Sequence, residues 1–408
     1  MTPATAAPIG FALLLPLLLA AQPVATDSYL SALPAIATEL GSASTSLTMF
    51  VLAFGVAQIP VGSLADRIGR RPVLLGGLAL YVVAALAGAL AASAAMPPGV
   101  GAGQGAAMAA ILVCSRAAVR DLYPAHEGMH VMARGLTGLG VVALIAPVLG
   151  AFIVQWAGWR WVLVLMAVYG AVLLAMCWHS FGETQAPQAA GQTAAQGGVR
   201  EVFASRSFRV WSCLSASSYG GIFCFLLLSP MVYIGYLGLP PALYGWIPSF
   251  GSAIYIGSTT ACRRLLYRWG PLRTVRLGAL LSISGALIQA LGAWHLPGSA
   301  WPLMLGHAFF SMGHGIHQPC GQAGAVGDLP RLAGRAVSWS GFMMMAVAFC
   351  VGQLASRFID ERHSHGAWPM VVPMLAAGSA IVLIAFVWLP RVLAHQQQLQ
   401  HKPKEKTT

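Results

Sequence analysis

The chain has 408 residues, of which 57% are hydrophobic and 8% charged, with a mean hydropathy of +0.72 and a formal charge of +12. Soluble globular domains carry about 25% charged residues, so a soluble fold is excluded. The basic excess, clustered at alternate ends of long apolar runs, is an orientation signal in a membrane and not a nucleic-acid surface.

A helix needs about 20 residues to cross a hydrocarbon layer ~30 Å thick. Apolar runs of that size lie at 11–37, 44–65, 73–96, 99–120, 135–156 and 159–181. Six more lie at 210–236, 243–265, 274–295, 300–322, 336–358 and 368–390. The expected fold is an all-α integral membrane protein with twelve transmembrane helices in two six-helix bundles, or eleven if one proline-containing run is re-entrant. Twelve spans with cytoplasmic N and C termini leave only Arg160, Arg357 and Arg362 of the 23 Lys and Arg outside, as the positive-inside rule expects. No Lys or Arg precedes Arg67, so the first run lacks the cationic start of a signal peptide and reads as a retained helix,. The seven cysteines are dispersed along the runs and indicate neither a disulfide framework nor a metal site,.

Residues 182–198, GETQAPQAAGQTAAQGG, lack apolar periodicity and read as a flexible linker,. The expected organisation is a bundle at 1–181, a cytoplasmic linker at 182–209, a second bundle at 210–393 and a disordered cytoplasmic tail at 394–408. Within the linker, REVFASRSFRV at 200–210 predicts a short amphipathic helix on the inner surface. The halves share a trace of sequence: LADRIG at 64–69 and LLYRWG at 265–270 align at an offset of 201, and Gly77 with Gly278 continues the register. Both pieces fall at the turn between the second and third spans of their half, which is how repeated transporter bundles appear in sequence.

Asp27 is the single acid well inside a predicted span. Charge is costly there, and such residues mark ion or substrate paths. Three roles stay open: a proton carrier, a cap at the outer interface if the first helix ends near Ala25, or a buried structural acid. The tenth span holds His307, His314, His317 and Gln318; at 100° per residue His307, His314 and Gln318 share a stripe, with His317 about 60° aside. Imidazoles titrate near pH ~6.5, so these residues relay protons, line a substrate path or simply pack. DERHSH at 360–365 matches no closed metal pattern,.

The turn GSLADRIGRRP at 62–72 places Gly62, Asp66, Gly69, Arg70 and Arg71, with Arg67 between them, at the spacing G-x-x-x-D-x-x-G-R-[RK]. That spacing resembles the loop signature of the major facilitator superfamily. Physically, Gly62 permits close helix approach, Gly69 a tight turn, and Asp66 can pair with a cation or cap a helix; such pairing can latch the cytoplasmic side. The second copy has Tyr267 in place of the acid, so a latch is expected on one half only. DSYLSALPAIATEL at 27–40, SRAAVRDLYP at 115–124, APVLGAFIVQWAGWRW at 146–161 and AGRAVS at 333–338 resemble the Bcr/CflA drug:proton antiporters. Ser31 replaces that group's first proline in the first element. Pro147 and Gly150 stand where the antiporters carry a kink motif, with Ala146 replacing its first Gly. The superfamily's fourth-helix Arg falls on Gly101, so any role it plays is absent here or carried by another group.

The resemblance implies a proton-coupled exporter of small amphiphilic drugs in a bacterial inner membrane, monomeric and working by alternating access. It would need no cofactor or metal and would engage drug, protons and lipid but no nucleic acid. Proton coupling then falls to Asp27, His314 and His317. Tyr29, Gln104, Tyr219, Phe223, Trp246 and His307 are the candidate cavity residues, although the aromatic ones fit lipid contact equally well. The rivals are a proton-coupled symporter or facilitator importing a nutrient, a sensor without transport, and a membrane enzyme. No nucleophile–base motif supports an enzyme, and no P-loop supports an ATP-driven pump.

Overall fold

The computed structural model describes residues 9–40, 44–91, 98–123, 125–184, 199–329, 332–356 and 366–394. Among these the regular structure is entirely helical, and helix makes up most of each of the twelve apolar runs. The first half contains α1 (Ile9–Leu30), α2 (Leu33–Leu40), α3 (Ser44–Ile68), α4 (Arg70–Ala89), α5 (Pro98–Leu122), α6 (Ala125–Ala157) and α7 (Trp159–Ser180). The second contains α8 (Val199–Ala204), α9 (Arg206–Pro230), α10 (Pro241–Tyr244), α11 (Trp246–His295), α12 (Trp301–Gly327), α13 (Ala333–Ser356) and α14 (Trp368–Leu383). Helices α9 and α14 each run on into π-helical turns, Met231–Tyr236 and Ile384–Trp388. Ten helical segments are long and apolar enough to cross a membrane among the described residues. Helix α12, with three histidines and a ladder of glycines over 27 residues, is not one of them.

The elements end where local chemistry ends them. The first apolar run is not one helix but two, because Pro34 has no N–H to continue the ladder and disfavours helical geometry at the residue before it. Proline is welcome in a first turn, so the chain closes a tight turn, Ala32 N–H to Tyr29 O at 3.0 Å, and restarts as α2. Helix α11 joins two predicted spans in one continuous stretch, interrupted at Gly270 with φ 72° and ψ 175°, a conformation open to glycine alone; Pro271 follows it,. Gly69, its counterpart in the repeat, starts α4 with φ 99° and ψ 159°. The match seen in sequence is therefore a match of backbone conformation. The predicted amphipathic helix is present as α8, shorter than expected because Ser205 interrupts it; the Ser205 hydroxyl accepts the Phe208 N–H at 3.2 Å and caps α9,.

The chain divides into two compact units. One comprises Met1–Thr193 with Phe223–Ala253 and Ala348–Met370; the other comprises Ala194–Ile222, Ile254–Val347 and Val371–Thr408. In the first unit α3 packs chiefly on α5, α4 on α5 and α7, and α1 on α6, with α10 seated on α6 as well. In the second, α11 and α12 approach closely, as Ser258 Oγ donates to Met312 O at 2.6 Å and Thr259 Oγ1 to Gly315 O at 3.2 Å.

Candidate functional site

In the first unit Asp27 lies in the last turn of α1, inside the candidate span Leu13–Leu30 and past the point near Ala25 where an interfacial reading would end the helix. Its side chain is partly buried, and the Thr26 hydroxyl stands 2.7 Å from Oδ1 and 3.0 Å from the Gln22 carbonyl, able to donate to either. A carboxylate with a single short side-chain donor is thinly solvated by the protein, which suits a group that gains and loses a proton. Tyr244 of α10 is fully buried, hydrogen-bonds Ser229 at 2.9 Å, and lies within electrostatic reach of Asp27. Tyr29 points elsewhere: two residues further on, about 200° around the helix, its hydroxyl bonds the Ser46 side chain on α3.

The kink residues of α6 sit beside this acid. A Cβ at Gly150 would collide with the Ser28 backbone, so glycine there is what lets α1 approach,. The Pro147 carbonyl lies 3.5 Å from the Ser31 hydroxyl on one side and faces Gly245 on the other, where a Cβ would come to 2.8 Å. Gln155 Oε1 accepts the Ala242 N–H at 3.3 Å. The kink thus receives both the broken end of α1 and the turn that carries Tyr244.

At Gly101, where the superfamily's fourth-helix Arg would fall, a Cβ would collide with the Ser46 carbonyl of α3, and at Gly105 one would collide with the Phe50 carbonyl. The backbone of α3 fills the place of a side chain, so no cation fits. Gln104, between these glycines, is 6% exposed, and its Nε2 makes no hydrogen bond among the described residues. A buried donor in that condition calls for water or ligand.

The signature loop builds a charge network inside the first unit. Arg70, 4% exposed, pairs with Asp66 at 2.7 Å and with Asp121 of α5 at 3.2 Å. Asp66 does not cap the following helix; Glu183 does, taking the Arg70 and Arg71 N–H groups at 2.9 and 3.1 Å. Gly69 makes room for that carboxylate. Arg71 donates to Trp178 O at 2.9 Å, and Arg67 is exposed in the last turn of α3. A Cβ at Gly62 would meet nothing within 4 Å, so the close helix approach expected there does not occur in this arrangement. Asp121 and Glu183 escaped the sequence reading because each follows an apolar run as an ordinary solvated acid would. Glu183 also shows that the segment read as linker begins with docked residues.

In the second unit the histidines of α12 are buried; His314 and Gln318 turn to α9 and His317 to α11, as the helical wheel separates them, while His307 bonds within α12 itself. His314 Nδ1 stands 2.9 Å from Ser218 Oγ of α9, and Gln318 Nε2 donates to Ser215 O of α9 at 3.3 Å. His317 turns to the second part of α11, with Nε2 3.3 Å from Val275 O. His307 Nε2 is 3.3 Å from Ser311 Oγ. The rings of Tyr219 and Tyr255 flank His314, with centroids at 6.4 and 5.3 Å. Tyr255 was not legible as a partner, since α11 contact requires the tertiary fold. Phe223 and Trp246 belong to the first unit; Phe223 is 3% exposed, and Trp246 heads α11 at 59% exposure. DERHSH lies outside the described residues.

A multi-pass helical chain with an acid inside one span, and with its polar groups gathered on interior helix faces, is a membrane transporter rather than an enzyme. It belongs to the Major Facilitator Superfamily, which it matches over residues 17–353. The chloramphenicol resistance protein of Pseudomonas aeruginosa is 29% identical over 390 residues, covering 92% of this chain and 89% of that one. The bicyclomycin resistance protein homolog of Haemophilus influenzae is 24% identical, covering 93% and 96%. These are names of the Bcr/CflA type that the sequence resembles. Among solved structures, a bacterial homolog of the human lysosomal transporter Spinster, inward-facing and occupied, superposes with a TM-score of 0.74 at 17% identity, covering 96% and 97%.

Proposed function

We propose that the chain is a proton-coupled exporter of small amphiphilic drugs of the Bcr/CflA type, with twelve spans, both termini cytoplasmic, acting as a monomer in a bacterial inner membrane. The observation that carries the reading is Asp27: an acid inside a span, beside the proline kink of α6, with one short side-chain donor. Loading a proton there neutralises the site; a cationic or polar drug favours the ionised form, so each ligand biases against the other and alternating access couples their opposite movements. The names of the relatives support drugs as cargo. Twelve spans follow if α11 counts as two at Gly270 and α12 crosses as an interior helix. Gln104 and the Tyr219–His314–Tyr255 group are the polar and aromatic contacts proposed for substrate.

The test is ethidium or chloramphenicol efflux from proteoliposomes under an imposed pH gradient, comparing wild type with Asp27→Asn. The expected result is gradient-driven efflux in wild type and none in the variant, with drug binding retained. Equal efflux in both removes Asp27 from coupling. Gradient-driven accumulation of a nutrient in place of drug efflux replaces the exporter reading with an importer.

A further inference from the structure

The histidines of α12 differ in what their ring nitrogens can do. A neutral imidazole carries one N–H and one lone pair, and a backbone carbonyl can only accept. His317 sets Nε2 3.3 Å from the Val275 carbonyl, so Nε2 carries the hydrogen and Nδ1 the lone pair,. That Nδ1 is buried without a hydrogen-bond partner among the described residues, on a side chain of 0% exposure. His314 is placed otherwise. Its Nδ1 faces a serine hydroxyl, which donates or accepts as required and satisfies either tautomer,. His317 is therefore a base with a fixed tautomer and an open acceptor.

The ring is also held. A Cβ at Gly278 would come within 2.6 Å of His317 Nε2 and 3.1 Å of Cδ2, so the glycine that continues the internal repeat leaves the imidazole its space. Its counterpart, Gly77, leaves space for the methyl of Ala110. One position of the repeat thus holds a methyl in the first half and a titratable ring in the second. The titratable groups around His317 are His314 one turn earlier, Cys320 one turn later with the Cys262 sulfur 3.7 Å from its own, and Tyr255 beyond His314. On α11 the adjoining cation, Arg276, lies over the Phe386 ring at 5.0 Å.

We propose that His317 is a second proton-loading residue of the transporter, taking the proton at Nδ1 while its Nε2–H stays on the Val275 carbonyl. The proton enters and leaves at the same nitrogen, and no other bond changes. The inference rests on the proton-coupled reading above and narrows the second unit's titratable site to one atom.

The discriminating variant is His317→Gln, whose amide nitrogen can still donate to Val275 O but which offers no base. Full-length protein in proteoliposomes is assayed with ethidium in two modes: efflux driven by an imposed pH gradient, and ethidium homo-exchange with no gradient. The expected result is loss of gradient-driven efflux in His317→Gln with exchange at the wild-type rate. Unchanged gradient-driven efflux overturns the proposal, as does joint loss of both modes, which marks a structural residue. Wild type that exchanges but shows no gradient-driven efflux overturns the proton-coupled reading itself and this inference with it, an outcome distinct from a silent His317→Gln beside an active wild type. A second measurement is independent of flux: ring 15N resonances of His317, assigned by their absence in the variant, should report the Nε2–H tautomer. An Nδ1–H tautomer overturns the assignment.

Discussion

Gly101 shows how much one missing side chain decides. Its α-carbon sits so near the Ser46 carbonyl that even a methyl group overlaps backbone, and backbone in a paired helix gives less readily than a flexible side chain. Gly101→Ala should therefore destabilise by about 1–3 kcal/mol or more, the range for overpacking. It should lower the melting temperature of purified protein, whereas Gly99→Ala, with nothing within 4 Å of its Cβ, should leave that temperature nearly unchanged. Restoring the superfamily's cation as Gly101→Arg should fail to give folded protein, and equal yields of Arg variant and wild type would refute the close contact. Sequence marked the departure at this position; it could not say that the backbone of α3 occupies the space of a side chain, since that depends on which face α3 presents to α5.

At the scale of elements, helix ends carry the testable chemistry. Glu183 fastens the start of α4 from outside that helix, so Glu183→Gln should cost about 1 kcal/mol through loss of charge at a helix N-terminus. Asp66→Asn should cost less, because Asp66 is half exposed and an ion pair open to solvent is worth about 0.2–1 kcal/mol,. Chemical denaturation of both variants ranks them. On the opposite end, Glu39 of α2 accepts from Arg160 at 2.7 Å and from Trp159 Nε1 at 2.7 Å. These bonds, the one from Arg160 foremost, hold its carboxyl below the ordinary value of 4.5. A depressed folded-state value places the stabilisation above the unfolded-state value, and it is lost as pH falls through the lower, folded one. The protection factors of α2 amides, exchange rates corrected for the intrinsic effect of pH, should accordingly hold steady from neutrality down to the ordinary carboxylate range and fall below it, and Glu39→Gln should remove that fall,.

For the molecule as a whole, the internal repeat keeps its backbone conformation at one turn while the surroundings of that turn differ. Gly69 and Gly270 share an extended, positive-φ conformation at the same turn, yet Gly69 also shelters Glu183 while Gly270 has open space around it. Both alanine variants should lose about 1–3 kcal/mol from strain, and Gly69→Ala should lose more because it also displaces the cap; equal losses would mean that Glu183 contributes nothing. The span-length periodicity made the helices legible, and the signature loop and Asp27 made the family and the first candidate site legible. The break at Ser31–Ala32 was available in Pro34 but hidden by continuous apolar sequence on both sides. The partners that give Asp27, Arg70 and His314 their surroundings, namely Tyr244, Glu183 and Ser218, come from segments far along the chain, and no local pattern names them.

The contact at Gly101 also bears on which substitutions the chain can sample. Glycine and arginine codons can differ by one base, so the change from one to the other is readily sampled by mutation. Here an arginine at 101 is barred not by coding but by the α3 carbonyl at Ser46, which would have to retreat first. Reaching a cation at this position therefore takes two changes that must come together, a new codon and a reseating of α3 against α5, so no single substitution can sample it.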